Sequence, residues 1–275
     1  DEPPLRVTVW QTSAPGPDTA SRFAGVSLPP LSEDGDVAWF HEADEKTPTF
    51  VRPSVERTDL PARIEFTFVN RSRQPTECGG WSLYKLQDGQ WFDLGPYLRL
   101  AACWIASPGS ARSWTIRVAN GDVAPCEAEQ YPFLGGGRYA ATVGYGHATA
   151  LSGALVDVEA PPVSIVPTED VTSESSGGVV TVTTPRWRTA PDEEGRKRVT
   201  LELMRADSAD ERLIPEQVMR RYNRVLRNTL AFVDSGIERV RLRTNEETAA
   251  RVVGYDGTQY RFRLDGQAYA VTQVS

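Results

Sequence analysis

The chain has 275 residues, 40% of them hydrophobic and 24% charged, with 22 Gly and 20 Pro, enough for two ordinary domains that each bury a core. This is not the composition of a disordered, collagenous or coiled-coil chain, and no apolar run approaches the roughly 18 residues of a membrane-spanning helix. The formal net charge of −7 argues against wholesale wrapping of nucleic acid. The two histidines, His41 and His147, leave few metal-site or proton-shuttle designs.

The charge is unevenly spread. Arginine outnumbers lysine 27 to 3. Residues 1–162 carry 20 acidic and 13 basic side chains, net −7, whereas residues 163–275 carry 17 of each. Two units with different surfaces are the expectation.

Residues 1–47 form an N-terminal arm that could pair with either later unit. Leu5–Trp10 alternates like a strand, Ser13–Asp36 is rich in Pro, Gly and Asp, and Asp36–His41 reads as a second strand. Residues 48–162 are a succession of short strands. Arg63–Val69 puts Ile64, Phe66 and Phe68 on one face and Arg63, Glu65 and Thr67 on the other. Trp81–Leu86 and Gln90–Leu94 flank Asp88-Gly89, a pair suited to the positive φ angles of a tight hairpin. Ser113–Val118, Gly137–Gly146 and Ala154–Glu159 complete the set. About seven short strands with turn signals between them predict a β-sandwich. Pro161-Pro162 closes this unit as a stiff linker.

Residues 163–275 change character. Val179–Arg186 and Arg198–Arg205 read as strands. Pro215–Val233 reads as one helix, with Val218, Tyr222, Val225, Thr229 and Phe232 on its buried side. Ile237–Thr244, Ala249–Tyr255, Thr258–Leu264 and Gln267–Val274 follow as strands. Asp256-Gly257 and Asp265-Gly266 would join the last three into an antiparallel meander. One main helix on an antiparallel sheet predicts a small α+β domain.

Several short texts invite a chemical reading. Ser82-Leu83-Tyr84-Lys85 fits S-x-x-K, but that chemistry needs serine and lysine on one helical face, and a strand puts positions i and i+3 on opposite faces. Gly135-Gly136-Gly137 precedes a strand, so a turn is expected rather than a phosphate cradle. Asp34-Gly35-Asp36 and Asp192-Glu193-Glu194 lack the ligand spacing of a calcium loop. A hydrolase assembled around His41 or His147 has no local signature. No catalytic residue, metal site or cofactor is assigned. In an exported chain a Cys103–Cys126 disulfide is the expected pairing, with Cys78 free; three cysteines allow three pairings, and buried thiols are the alternative. Asn70-Arg71-Ser72 is a glycosylation sequon. The seven tryptophans are core candidates, with one or two available as exposed anchors.

The arginines show a pattern. Arg239, Arg241 and Arg243 recur at intervals of two and so share one strand face, and Arg261 and Arg263 repeat the spacing. Arg220, Arg224 and Arg227 share one side of the expected helix. These eight are candidates for contact with an acidic partner or anion, since guanidinium forks suit carboxylates. The plain alternative is a solvated face whose arginines pair with Glu202 or Glu238 across strands.

Residues 50–160 resemble the bacterial and archaeal immunoglobulin-like domains of surface lipoproteins. The matching text is FVN (Phe68–Asn70), GGWSLYKL (Gly79–Leu86), DGQW (Asp88–Trp91), PGS (Pro108–Ser110) and LGGGRY (Leu134–Tyr139), in the family's order. The Pro125–Phe133 insertion and the cysteines depart from that pattern. The resemblance implies an immunoglobulin-like β-sandwich and a non-catalytic extracytoplasmic or cell-surface protein that works through protein or envelope contacts. A lipid tether lost from the N-terminus belongs to the same expectation; no transmembrane segment in this chain and no nucleic-acid partner are expected from the apolar runs and the net charge. The alternatives are a small-molecule or anion-binding module at the domain junction and, third, a hydrolase.

Overall fold

A computed structural model describes residues 21–31, 37–76, 79–96, 105–122, 129–144, 151–168, 170–190, 197–234, 236–255 and 259–274. The fold is mainly β, built from several mixed sheets. Its described residues divide into two compact units. One comprises those up to Ala119, with 129–131 and 136–160; the other comprises 120–122, 132–135 and those from Pro161 onward.

The first unit contains β1 (Val37–Trp39), β2 (Thr49–Pro53), β3 (Arg57–Asp59), β4 (Ala62–Asn70), β5 (Gly80–Gln87), β6 (Gln90–Gly95), β7 (Ala111–Val118), β8 (Glu129–Tyr131), β9 (Gly137–Gly144) and β10 (Leu151–Glu159). One sheet runs β1-β10-β9-β5-β6, with β3 also on β10; the other runs β2-β4-β7-β8. The alternation in β4 decides which side is buried: Ile64 and Phe66 are 2% and 1% exposed, between exposed Arg63 and Glu65. Aromatic rings join the two sheets. Trp81 of β5 stacks on Trp114 of β7 at 5.8 Å, and Trp114 stacks on Phe66 at 5.4 Å. Thr49 and Ser152 share a hydroxyl hydrogen bond of 3.0 Å between β2 and β10. This is a β-sandwich in the general sense.

Asp88 and Gly89 both take positive φ, 49° and 75°, and turn β5 into β6 as a tight hairpin. The described part of the N-terminal arm docks on the sheet of β1. Its Phe23 joins Trp39, Ala140 and Leu155 in a buried cluster. Arg22 and Arg138 lie over the Phe23 ring at 5.3 and 4.9 Å, and both reach Asp157.

The second unit contains β11 (Thr172–Ser176), β12 (Val179–Thr183), α1 (Pro185–Thr189), β13 (Arg198–Arg205), β14 (Glu211–Arg212), α2 (Pro215–Val218), α3 (Arg224–Leu230), β15 (Arg239–Asn245), α4 (Glu246–Val253), β16 (Gln259–Leu264) and β17 (Gln267–Gln273). One seven-stranded sheet runs β11-β12-β15-β13-β17-β16-β14. Its apolar face, with Val182, Leu201, Leu203, Val240, Leu242 and Phe262, is covered by Val218, Val225, Leu226 and Leu230 of α2 and α3 and by Ala249 and Val253 of α4.

Three expectations for this unit are corrected. The helix expected over Pro215–Val233 is two short ones. Asn223 donates its side-chain amide to the Gln217 carbonyl at 2.7 Å, the acceptor that a continuing helix would have offered to the backbone N–H of residue 221. The strand expected over Ala249–Tyr255 is α4. Asn245 caps it by accepting from the Thr248 N–H at 3.2 Å, and Gly254 ends it at φ 77°. The C-terminal meander is therefore a single hairpin, β16–β17, turned by Asp265 and Gly266 at φ 48° and 82°. β13 lies between β15 and β17. The Asp256-Gly257 turn lies outside the described residues, as does the Leu5–Trp10 strand.

Candidate functional site

Strand register assembles the site. In antiparallel pairing, residues directly opposite share a face. Arg241 of β15 faces Glu202 of β13, Glu202 faces Thr272 of β17, and Thr272 faces Gln259 of β16. One row along, Arg239, Met204, Ala270 and Arg261 align. All five strand arginines singled out from the sequence therefore lie on one sheet face, opposite the apolar core. Arg198 of β13 and Arg212 of β14 join them by register. The strand positions of this face carry seven arginines and two glutamates, Glu174 and Glu202.

Most of these guanidiniums are held by an acceptor of the chain itself. Arg241 donates from Nε to Glu202 Oε2 at 2.8 Å, and Arg239 donates from Nη1 to Oε1 at 3.5 Å. The Glu202 side chain is only 8% exposed, so the inner carboxylate is compensated by two outer cations. Arg261 donates from Nε to Gln259 and from Nη1 to Ser208, and Arg263 donates to the Gly266 carbonyl at 2.9 Å. At the far end Trp187 of α1 stands between two cations: Arg198 and Arg243 each lie 5.8 Å from its ring. Arg198 also donates from Nε to the Trp187 carbonyl at 2.9 Å. Among the described residues Arg243 has no hydrogen-bond acceptor for its side chain. The arrangement is a broad set of guanidinium donors spread over one sheet face, most of them held by acceptors of the chain.

The helix arginines belong elsewhere. Arg220 is buried at 9% exposure. Arg224 lies 3.9 Å from Asp170, and Arg227 donates to the Val166 and Pro167 carbonyls while covering Phe133 at 4.9 Å. Their carriers pack on the core side of the sheet, so they do not extend the strand face. A helical wheel shows what shares a side but not what that side meets.

Ser82 and Lys85 lie three apart on β5 and hence on opposite faces, which removes the acylation geometry. Gly136 is demanded by packing, since a Cβ there would sit 2.5 Å from the Ala160 carbonyl oxygen. The Gly135 N–H donates to Glu216 Oε1 at 3.1 Å, so it serves a carboxylate of the fold. The sequon is locked: Asn70 is fully buried and donates from Nδ2 to the carbonyls of Gln74, Ala106 and Ser107. His41 has a side chain 2% exposed beside Trp39 and Phe23, with the Glu42 carboxylate 4.0 Å away. His147, Cys78, Cys103, Cys126 and both carboxylate clusters lie outside the described residues. At the lateral edge of the second unit, burial raises the Tyr260 hydroxyl above the ordinary tyrosine range, and the Glu211 carboxylate adds to the effect.

No family model matches the sequence, and no curated protein matches it. Among solved structures, the sporulation control protein Spo0M from Bacillus subtilis aligns at 12% identity and a TM-score of 0.23, covering 42% of this chain and 50% of that one. A β-glucosidase from Listeria innocua, solved with gluconolactone, aligns at 11% identity and a TM-score of 0.23, covering 42% of this chain and 16% of that one. The chain thus spans half of the Spo0M chain or less of these neighbours, and at such scores neither carries a functional argument.

Proposed function

We propose that this is a non-catalytic contact protein that holds an anionic partner on the arginine face of its C-terminal sheet. The observation that supports it is segregation of charge: residues 163–275 are net neutral, yet the strand positions of one face carry seven arginines against two glutamates. We further propose two domains, an immunoglobulin-like sandwich followed by an α+β unit, working outside the cytoplasm at the cell surface. The two sheets of the first unit and the resemblance of residues 50–160 support that architecture. The resemblance alone supports the location, and protease shaving of intact source cells tests it: an exported protein is cleaved, an internal one is spared.

Charge reversal tests the contact. Arg241 is a poor choice, because Arg241→Glu would set a second carboxylate against Glu202. Arg243→Glu with Arg261→Glu changes the face without touching that pair. Arg63→Glu with Arg73→Glu changes net charge equally at exposed positions of the first unit. Binding to immobilised polyglutamate, polyphosphate and anionic vesicles at low ionic strength should fall roughly tenfold or more for the first double variant and little for the second. Absence of binding to every polyanion, or equal losses in both variants, would refute the role.

A further inference from the structure

The cations of the face are spread over several strands. Along a strand, alternate side chains recur every ~6.6 Å, and neighbouring strands lie ~4.8 Å apart. Arg243 and Arg239 are four residues apart on β15, a run of ~13 Å at that rise. Arg239 and Arg261 share a register row three strand steps apart, or ~14 Å. The diagonal from Arg243 to Arg261 is then ~19 Å, which about six residues of extended polypeptide would span.

Two observations select the partner. The face already holds a carboxylate, with Glu202 accepting from Arg241 at 2.8 Å, so carboxylate geometry suits these guanidiniums. An extended polypeptide also repeats its same-side groups every ~6.6 Å, so three such repeats, ~20 Å, match the ~19 Å diagonal from Arg243 to Arg261. We propose, building on the anion-binding role above, that the occupant is an extended acidic segment of another protein. It has about six residues or more and lies across the sheet from the Trp187–Arg243 end to Arg261. Trp187 and Arg198 fix one anchor; Gln259 and Ser208, which accept from Arg261, fix the other. Two anchors joined by one chain bind with a length threshold, because a segment too short to reach both gains no second contact.

The test uses the full chain and synthetic oligoglutamates of three, five, seven and nine residues, with affinity measured by calorimetry at low ionic strength. The expected result is a steep rise between three and seven residues, roughly tenfold or more, then a plateau. Arg261→Glu should lower the seven-residue affinity to the three-residue level and leave triglutamate nearly unchanged. Arg261→Gln, checked by circular dichroism, should do the same in weaker form and guards against misfolding. Affinity that grows evenly with length, or an Arg261 variant that weakens all lengths alike, would overturn the proposal while leaving the anion-binding role in place. Tighter binding of polyphosphate or oligothymidylate of equal charge would overturn it in favour of another polyanion. Failure of every polyanion to bind would overturn the underlying role as well.

Discussion

The Glu202–Arg241 pair gives the sharpest quantitative prediction about the face. Glu202 sits at the middle of β13, its side chain 8% exposed, and Arg241 reaches it from the opposite register position at 2.8 Å. Removing one member of a fully buried pair costs about 3–5 kcal/mol. Arg241 is 45% exposed, so water screens its charge, and Arg239 stays within 3.5 Å of the same carboxylate. Arg241→Gln should therefore cost about 1.5–2 kcal/mol. Glu202→Gln keeps an acceptor for Arg241 and should cost about 1 kcal/mol. The double variant should cost less than the sum of the two, leaving a coupling of about 1 kcal/mol. Hydrogen exchange on the full chain, followed in peptides from β13 and β15, reads the second unit without assuming a single unfolding step. Single effects that sum to the double within about 0.3 kcal/mol would mean the pair is uncoupled, and the guanidiniums would not be preorganised.

Other outcomes follow from the same geometry. Asn70→Ala removes three amide donations to buried or half-buried carbonyls and should cost the first unit about 3 kcal/mol in urea unfolding; expression in a glycosylating host should leave Asn70 unmodified in folded wild-type protein. A glycan at Asn70 on a stable, folded protein would refute that placement. Gly136→Ala should destabilise by about 2 kcal/mol or more, because its Cβ would meet the Ala160 carbonyl at 2.5 Å; an unchanged melting temperature would contradict the close approach. Tyr260 is held neutral by burial and by Glu211, so its folded value lies above its unfolded one. Its stabilising contribution is complete below the ordinary tyrosine value near 10 and is lost as pH rises through the raised folded value. Tyr260→Phe, which keeps the ring stack on Phe262 at 5.5 Å, should flatten the decline in stability above pH 10; identical alkaline slopes would exclude that account.

What could be read from the sequence was what depends on a period of two. β4 and β13 announce themselves by alternation, and the Asp-Gly turns at 88–89 and 265–266 by their tolerance of positive φ. The same period put Arg239, Arg241 and Arg243 on one face before any register was known. Elements settled by capping were harder. In α4, Val252 and Val253 favour a strand by propensity, yet the Asn245 cap and the spacing of buried Ala249 and Val253 make a turn of helix. Asn223 interrupts an otherwise helical pattern through one side-chain bond that no periodicity reveals. Glu202 was one of two glutamates able to pair with the arginines, and only the register of β13 on β15 chooses it. Trp187 needed still more: its role between Arg198 and Arg243 depends on α1 turning back after Thr184, whose hydroxyl and Pro185 start that helix.

The most direct check on the arginine face is to see where a polyanion lands. Arginine Nε–Hε resonances of the full chain can be followed by NMR while polyglutamate is added at low ionic strength. Saturable shifts at Arg198, Arg239, Arg241, Arg243 and Arg261, with Arg224 and Arg227 unmoved, are the predicted result. Shifts centred on the helix arginines or on the first unit, with the sheet face silent, would contradict it.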